Sequence, residues 1–162
     1  RHEVETALKA IQKVKPEVAC LAELTPKEFN EVKYVLSGVV SKRAEHVVME
    51  CKRVQDAVEA LKAGDLVELG RLLNESHYSL RDLYEVTGRE LDTLSALARK
   101  ETGCLGSRMI GAGFGGCTIS IVKKSAVEGF IRRVGKAYFD AIGYRASFYE
   151  TSIEDGITVQ KL

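Results

Sequence analysis

The sequence predicts an α+β fold, in which a bundle of helices packs with a small, mainly antiparallel sheet. Helix-start signals and helically spaced apolar residues fill the first hundred residues. Strand-like alternation begins only after Gly106, and it flanks a glycine-rich segment. We therefore expect a single domain over residues 1–162. Residues 1–104 are predicted to be mainly helical, and residues 105–162 to form a strand-loop-strand unit, a helix and two further strands.

Four capping signals mark where helices begin. Each is a polar residue followed three positions later by a glutamate, which can bond back to the amide of the cap. They are Thr25/Glu28, Asp65/Glu68, Thr87/Glu90 and Ser125/Glu128. Pro26 also occupies the favoured first position of its helix.

The longest helix is predicted over residues 42–63, with Gly64 as its stop. One apolar stripe follows its length at helical spacing: Val47, Cys51, Val54, Val58 and Leu61. The next helix repeats the pattern with Leu66, Leu69, Leu73, Ser76 and Leu80. Because a two-residue connection joins them, we expect the two helices to be antiparallel neighbours.

The strands are predicted from a period of two. Cys117, Ile119 and Ile121 alternate with polar residues, which indicates a half-buried strand over residues 117–122, and residues 107–110 form a shorter candidate. A helix over residues 127–142 follows and ends at Gly143. Residues 145–151 and 157–161 are predicted as two more strands that flank a turn.

Composition excludes several classes of function. Lys and Arg number 24 against 23 Asp and Glu, so a net charge of +1 gives no field that would select nucleic acid. No apolar run reaches the roughly 20 residues that span a bilayer, so no membrane partner is expected. Four widely spaced cysteines without a zinc pattern favour the cytoplasm. Because no methionine begins it, we expect the chain to be a fragment of a longer one.

Residues 106–117 read GSRMIGAGFGGC, with four glycines among the six positions 111–116. Glycine permits positive φ and lets a ligand or another backbone come close. Spacing alone leaves two interpretations open, a hairpin connection and a ligand-binding loop. Gly111, Gly113 and Gly116 match the dinucleotide fingerprint G-x-G-x-x-G, but that fingerprint must open a helix. Here a strand follows, so we reject the dinucleotide interpretation.

A protein-kinase interpretation also fails. Arg81-Asp82-Leu83 resembles part of the catalytic H-R-D-L sequence, but it precedes the glycines and Leu80 replaces the histidine. The sequence contains no D-F-G either. We therefore reject the protein-kinase interpretation.

Residues 107–118, SRMIGAGFGGCT, resemble the third, carboxy-terminal motif of the kinase superfamily that includes galactokinase, homoserine kinase and mevalonate kinase. The form Gly-Phe-Gly-Gly-Cys is most similar to the galactokinase branch. Residues 75–86, 43–48 and 64–66 match that branch in the same order, so the resemblance covers nearly the whole chain. Two positions depart from it: Ile110 replaces a usual threonine, and Ala112 replaces a frequent glycine.

The resemblance implies a fold and an activity. The fold is the carboxy-terminal domain of a galactokinase-type kinase, which passes the γ-phosphoryl group of ATP to the anomeric hydroxyl of galactose with Mg²⁺. ATP and galactose bind between two domains, and the catalytic aspartate, the phosphate loop and the sugar-binding motif are implied upstream of Arg1. The amino-terminal catalytic domain is then the partner of this chain, which we expect to be inactive alone.

In this chain the resemblance implies no catalytic or metal-binding residue. It implies one wall of the active site, made by Gly111, Gly113, Phe114, Gly115 and Gly116. Two alternatives stay open, a related kinase for N-acetylgalactosamine and a galactokinase-like protein that senses sugar without efficient catalysis. The unseen upstream sequence would separate them.

Other polar residues are predicted to have structural roles. His77 lies beside the apolar stripe of its helix, where a buried structural histidine is expected more than a catalytic one. Arg81 and Asp82 are expected to cap or pair, and Arg108 to contact either phosphate or the surface. Cys117 is expected to pack at the start of a buried strand.

Overall fold

The structure is a computed structural model that describes residues 1–152. As far as residue 142, helices and strands follow one another in the predicted order, and the α+β fold class is confirmed. The elements are α1 (His2–Gln12), α2 (Pro26–Val32), α3 (Gly38–Ala63), α4 (Leu66–Ser79), α5 (Arg89–Lys100), β1 (Cys104–Ile110), β2 (Cys117–Val122) and α6 (Val127–Ile142). A π-helical turn, Leu80–Tyr84, extends α4. No helix within residues 1–152 has the length and apolar character needed to cross a membrane.

Two of the four predicted caps begin helices as expected. The Thr25 hydroxyl accepts a hydrogen bond from the Glu28 amide at 3.2 Å, and the Glu28 carboxylate accepts one from the Thr25 amide at 2.9 Å. Asp65 accepts from the Glu68 amide at 2.9 Å. Gly64 ends α3 with φ at +68°, the left-handed conformation that glycine adopts without strain.

The other two caps were wrong. The residue before α5 is Gly88 at φ +82°, a conformation that Thr87 would adopt only with strain, and Thr87 is buried instead. Ser125 lies within a short 3₁₀ turn, and Ala126 precedes α6.

The predicted apolar stripe of α3 packs on the core at Val47 but not in the second half of the helix. Val54, Val58 and Leu61 are 59%, 43% and 54% exposed. Periodicity finds an apolar face, but whether a neighbour covers that face depends on the tertiary arrangement. The residues that α3 buries are Ala44, His46, Val48 and Ala60, and the first and third of these join a core with α1 and α2 around Ile11 and Phe29.

The predicted antiparallel neighbours, α3 and α4, pack together around a buried histidine. The Nδ1 atom of His46 lies 2.9 Å from the Ser79 hydroxyl, and the imidazole stacks on Tyr84 with ring centroids 4.5 Å apart. Burial lowers the pKa of His46 to about 4, and the positive charge of nearby arginines such as Arg53 acts in the same direction. The imidazole is therefore neutral in the folded protein at pH 7.

β1 and β2 form an antiparallel pair in which Ser107 lies opposite Ser120 and Ile110 lies opposite Cys117. The pair packs on α4 at very short range. A Cβ atom added to Gly70 would lie 2.1 Å from the Leu105 carbonyl oxygen, and one added to Gly106 would lie 2.2 Å from the Gly70 carbonyl oxygen. The backbones of α4 and β1 can approach this closely because neither Gly70 nor Gly106 has a Cβ atom.

Side chains from two helices form hydrogen bonds with the backbone groups of β1 that point away from β2. The Asn74 side-chain oxygen accepts a hydrogen bond from the Ser107 amide at 2.9 Å, and the Ser95 hydroxyl donates to the Ser107 carbonyl at 2.9 Å. The Nδ1 atom of His77 accepts from the Met109 amide at 3.1 Å. We call Asn74, His77 and Ser95 the edge-capping residues, because they replace a neighbouring strand on this side of β1.

The predicted strand over residues 145–151 is not formed. Within residues 1–152, these seven residues make no backbone hydrogen bond to any other residue, and a strand requires a paired neighbour. Ala146 and Phe148 are nevertheless half-buried between exposed residues, as in a strand. The predicted strand over residues 157–161 lies outside the described residues.

The neutral state of His46 predicts a pH-dependent stability. The unfolded chain binds a proton at this site near pH 6.5 and the folded chain only near pH 4, so stability falls as the pH falls between these values. We expect the free energy of unfolding to drop by roughly 2 kcal/mol from pH 6.5 to pH 5 through this group. Urea unfolding across this range should show a shallower pH slope for His46→Asn, and an unchanged slope for the variant would contradict the assignment. His2→Asn, at an exposed site, is the control.

Candidate functional site

The glycine-rich loop, residues 111–116, connects β1 to β2. Gly111, Gly113 and Gly115 have φ values of +81°, +83° and +96°, and Phe114 has a φ of +57°. Ala112 is not among the residues with positive φ, so its extra methyl group lies in an ordinary backbone conformation. The path of this loop is one that glycine adopts freely and other residues adopt with strain.

One side of the loop is fixed to the connection between α4 and α5. The Phe114 amide donates a hydrogen bond to the Val86 carbonyl at 2.9 Å. Gly113 passes so close that an added Cβ atom would lie 2.0 Å from the same carbonyl oxygen. Any side chain at position 113 would therefore force the loop away from Val86.

The other side of the loop is open. Apart from the adjacent residues, no atom of residues 1–152 would lie within 4 Å of a Cβ atom added to Gly111 or Gly115, and the Phe114 side chain is 77% exposed. A phenylalanine in the left-handed region costs about 1–3 kcal/mol, and strain of this kind is concentrated at functional sites. Bare backbone amides and an exposed aromatic ring are suited to receive a ligand or a facing protein segment.

His77 has the structural role that the sequence favours. It is fully buried, and its Nε2 atom lies 3.2 Å from an Asp92 carboxylate oxygen. Burial lowers the pKa of His77, and the positive charge of Arg99 lowers it further. A neutral ring that accepts the Met109 amide at Nδ1 carries its proton on Nε2, facing Asp92. The histidine is thereby oriented to hold β1.

Arg81 and Asp82 pair with each other at 2.7 Å on the surface, as expected. Arg108 pairs with Glu50 of α3 at 3.2 Å, which is one of the two contacts predicted for it. The prediction for Cys117 was wrong, because this residue is exposed. It begins a strand whose outer surface no described residue covers at that end.

Sequence reasoning missed Val86 and Asn74, and it did not identify the partner of His77. Val86 acts through its backbone carbonyl, for which no side-chain pattern exists. Asn74 and His77 had a signal, because two polar residues three positions apart share one face of α4 next to the apolar residue Leu73. Buried polar groups require partners, and here the partners are the amides of β1.

The described residues do not fit a magnesium site. Within residues 1–152, no group of three or more His, Cys, Asp or Glu side chains is placed to hold a metal ion. Within the described residues, the glycine-rich loop offers backbone groups and the exposed ring of Phe114 at this site.

Comparison with known proteins identifies the class. A family model described as "GHMP kinases C terminal" matches residues 57–141, more than half of the chain, and the chain belongs to this family. It is 54% identical over 157 residues to a galactokinase of Clostridium beijerinckii, covering 96% of this chain and 40% of that protein. It is 52% identical over 151 residues to a galactokinase of Lactobacillus helveticus, covering 93% and 39%. The resemblance seen in the sequence is thus confirmed.

A solved structure gives the same result. The crystal structure of Lactococcus lactis galactokinase complexed with galactose superimposes with a TM-score of 0.88 at 45% identity, covering 91% of this chain and 38% of that chain. The chain thus spans about two fifths of the length of the relatives that it matches.

Proposed function

We propose that this chain is the carboxy-terminal domain of a galactokinase, which transfers the γ-phosphoryl group of ATP to the anomeric hydroxyl of galactose. One observation carries the proposal: 54% identity to a galactokinase extends over 96% of this chain. A relative solved with galactose shares the fold at 45% identity, which supports the same substrate.

The proposal assigns catalysis and substrate binding mainly to a second domain, and one wall of the cleft to this chain. An amino-terminal domain, corresponding to the other three fifths of the relatives' length, supplies the catalytic aspartate, the phosphate loop and the sugar-binding motif. ATP and Mg²⁺ bind with that domain, which is consistent with the lack of a metal-binding cluster in residues 1–152. Four unpaired cysteines support the cytoplasm as the location.

In this division, Gly111, Gly113, Phe114, Gly115 and Gly116 form one wall of the cleft. Phosphoryl transfer depends on the alignment of the two substrates more than on covalent chemistry. The hydrogen bond to Val86 fixes the loop on one side, while Phe114, Gly111 and Gly115 face outward. This arrangement sets a rigid boundary against which the other domain closes.

The division predicts that residues 1–162 alone phosphorylate no galactose, while the complete protein does. Release of ADP in the presence of ATP and Mg²⁺ is the measurement, with N-acetylgalactosamine as the competing substrate. Turnover by the isolated chain would contradict the division. If the complete protein prefers N-acetylgalactosamine, that sugar is its substrate in place of galactose. If the complete protein binds sugar without turnover, it is a sugar sensor.

Gly115→Val in the complete protein tests the wall directly. The φ of +96° strains a β-branched residue by about 1–3 kcal/mol, a small part of the ~5–15 kcal/mol that stabilises a typical domain. No atom of the described part of the chain obstructs the new Cβ, so the fold should persist with a Tm lower by only a few degrees. Displacement of the wall should lower kcat/KM by about 100-fold.

Ala112→Gly, three residues away in the same loop and at ordinary φ, is the matched control; it should leave kcat/KM nearly unchanged and cost at most about 1 kcal/mol of stability. Steady-state kinetics and thermal melting of both variants are compared with the parent protein. A Gly115→Val variant with the parent's kcat/KM would show that the loop is a hairpin connection without a role in the cleft.

A further inference from the structure

Two residues with a strained backbone meet at Val86, where the glycine-rich loop is fixed. Glu85 has a φ of +59° and Phe114 a φ of +57°, and they are the two non-glycine residues with positive φ among residues 1–152. Glu85 directly precedes Val86, and the Phe114 amide donates to the Val86 carbonyl at 2.9 Å. Since such strain persists only where the surroundings impose it, a neighbouring group must hold Glu85 in this conformation.

The chain reaches Val86 through the π-helical turn Leu80–Tyr84. The Val86 amide donates a hydrogen bond to the Leu80 carbonyl at 3.2 Å, which closes the turn. Glu85 then takes the left-handed conformation, and the next carbonyl along the chain is the one that the loop binds. π-helical turns are rare and are frequent at functional sites, so the features that stabilise this turn bear on the loop.

Arg43 of α3 binds this turn at two points. Its Nη1 atom donates to the Leu83 carbonyl at 2.5 Å, and its Nη2 atom lies 2.6 Å from the Oε2 atom of Glu85. Only 11% of the Arg43 side chain is exposed, so the guanidinium is held between α3 and the turn. One side chain therefore bonds the backbone just before Glu85 and the side chain of Glu85 itself.

Other residues on the same face of α3 assist Arg43. The Nζ atom of Lys42 lies 3.9 Å from the second carboxylate oxygen of Glu85. The guanidinium carbon of Arg43 lies 6.0 Å from the centroid of the Tyr84 ring, and the same ring stacks on His46. The hydrogen bond from Arg43 and its positive charge lower the pKa of Glu85, so the carboxylate is ionised when it binds.

Arg43 has a third partner outside the turn. Its Nε atom donates to the Glu3 carboxylate of α1 at 3.3 Å. A planar guanidinium carries five donors in a fixed arrangement and can serve three acceptors at once, whereas a lysine ammonium is a single point of charge on a flexible stem. Lysine at position 43 would keep the charge and lose this geometry.

We propose that Arg43 is a positioning residue for the glycine-rich loop. It holds Glu85 in the left-handed conformation, Glu85 sets the direction of the Val86 carbonyl, and that carbonyl fixes the Phe114 amide. Within residues 1–152, no hydrogen bond or ion pair joins Arg43 to the loop, so its effect passes through the turn. The link to catalysis rests on the proposed function, in which the loop is a wall of the cleft; the link from Arg43 to the loop does not.

Amide hydrogen exchange of the complete protein, resolved to single residues, tests the link to the loop. In Arg43→Lys, the Phe114 amide should exchange ~10-fold faster than in the parent, while the amide of Val134, buried in α6, should stay within about twofold. Glu3→Gln is the matched control, because it removes the α1 partner of Arg43 and leaves both contacts with the turn. Its Phe114 amide should exchange as in the parent.

Two results would overturn the proposal. The Val86 side chain packs against a buried cluster that includes Leu80 and Met109. If this packing alone fixes the loop, the Phe114 amide in Arg43→Lys will exchange at the parent's rate. If Val134 exchanges faster to the same extent as Phe114, Arg43 stabilises the fold in general and does not position the loop.

Glu85→Gln tests the same link from the other partner, and it serves if Arg43→Lys does not fold. The Glu85 side chain is 49% exposed, so an isosteric neutral amide fits the site while the ion pair is lost. We expect faster exchange at Phe114 and an unchanged rate at Val134 in this variant too. The parent's rate at Phe114 would overturn the proposal.

Steady-state kinetics of the complete protein test the consequence for catalysis. Arg43→Lys should lower kcat for galactose phosphorylation by about 10-fold with little change in KM for galactose, because alignment is lost and sugar binding is not. Glu3→Gln should keep the parent's kcat. Fast exchange at Phe114 together with the parent's kcat would overturn the positioning role. A complete protein that phosphorylates no galactose but shows the expected exchange would remove the proposed function and leave the link from Arg43 to the loop in place.

Discussion

The rest of the structure depends on the hydrogen bonds that helix side chains make with the outer backbone edge of β1. Ser107 and Met109 bond to Asn74, His77 and Ser95, so two helices take the place of a neighbouring strand. Buried backbone groups need partners, and these side chains supply them at fixed positions. The close approach of α4 to β1 at Gly70 brings the partners within reach. β1 is therefore held on the helical layer along its length, and the loop that follows it begins at a defined place.

Because β1 is fixed, the starting position of the glycine-rich loop is fixed too. It leaves β1 at Ile110, bonds to Val86 through the Phe114 amide, and returns as β2. Its conformation is strained only at Phe114, where the ring faces outward, and strain of this kind persists only when the surroundings impose it. A wall of an active site needs this property, because catalysis by alignment is lost when the aligned parts can move. In the proposed division, this chain supplies position and the domain proposed to face it supplies the chemistry.

Local signals in the sequence were sufficient for the order of elements, for the caps at Thr25 and Asp65 and for the loop. They failed where the outcome depended on a distant neighbour. Periodicity identified the apolar face of α3 but not its exposure at Val54, and it identified strand-like alternation at residues 145–151 without a paired strand. The structural role of His77 was predicted, but the β1 partners of the edge-capping residues were beyond local reasoning because they lie as far as 33 positions away. The loop was assigned to a kinase wall by resemblance, since glycine spacing alone equally fits a hairpin.

The most direct test of this account is the stability of Asn74→Ala, measured by urea unfolding. Ser107 is fully buried, and loss of the Asn74 oxygen leaves its amide without a partner, which costs about 1–3 kcal/mol. Gln55→Ala, an exposed amide on α3, is the matched control and should change stability by less than about 0.5 kcal/mol. If Asn74→Ala is as stable as this control, the edge of β1 does not depend on helix side chains, and the central claim is wrong.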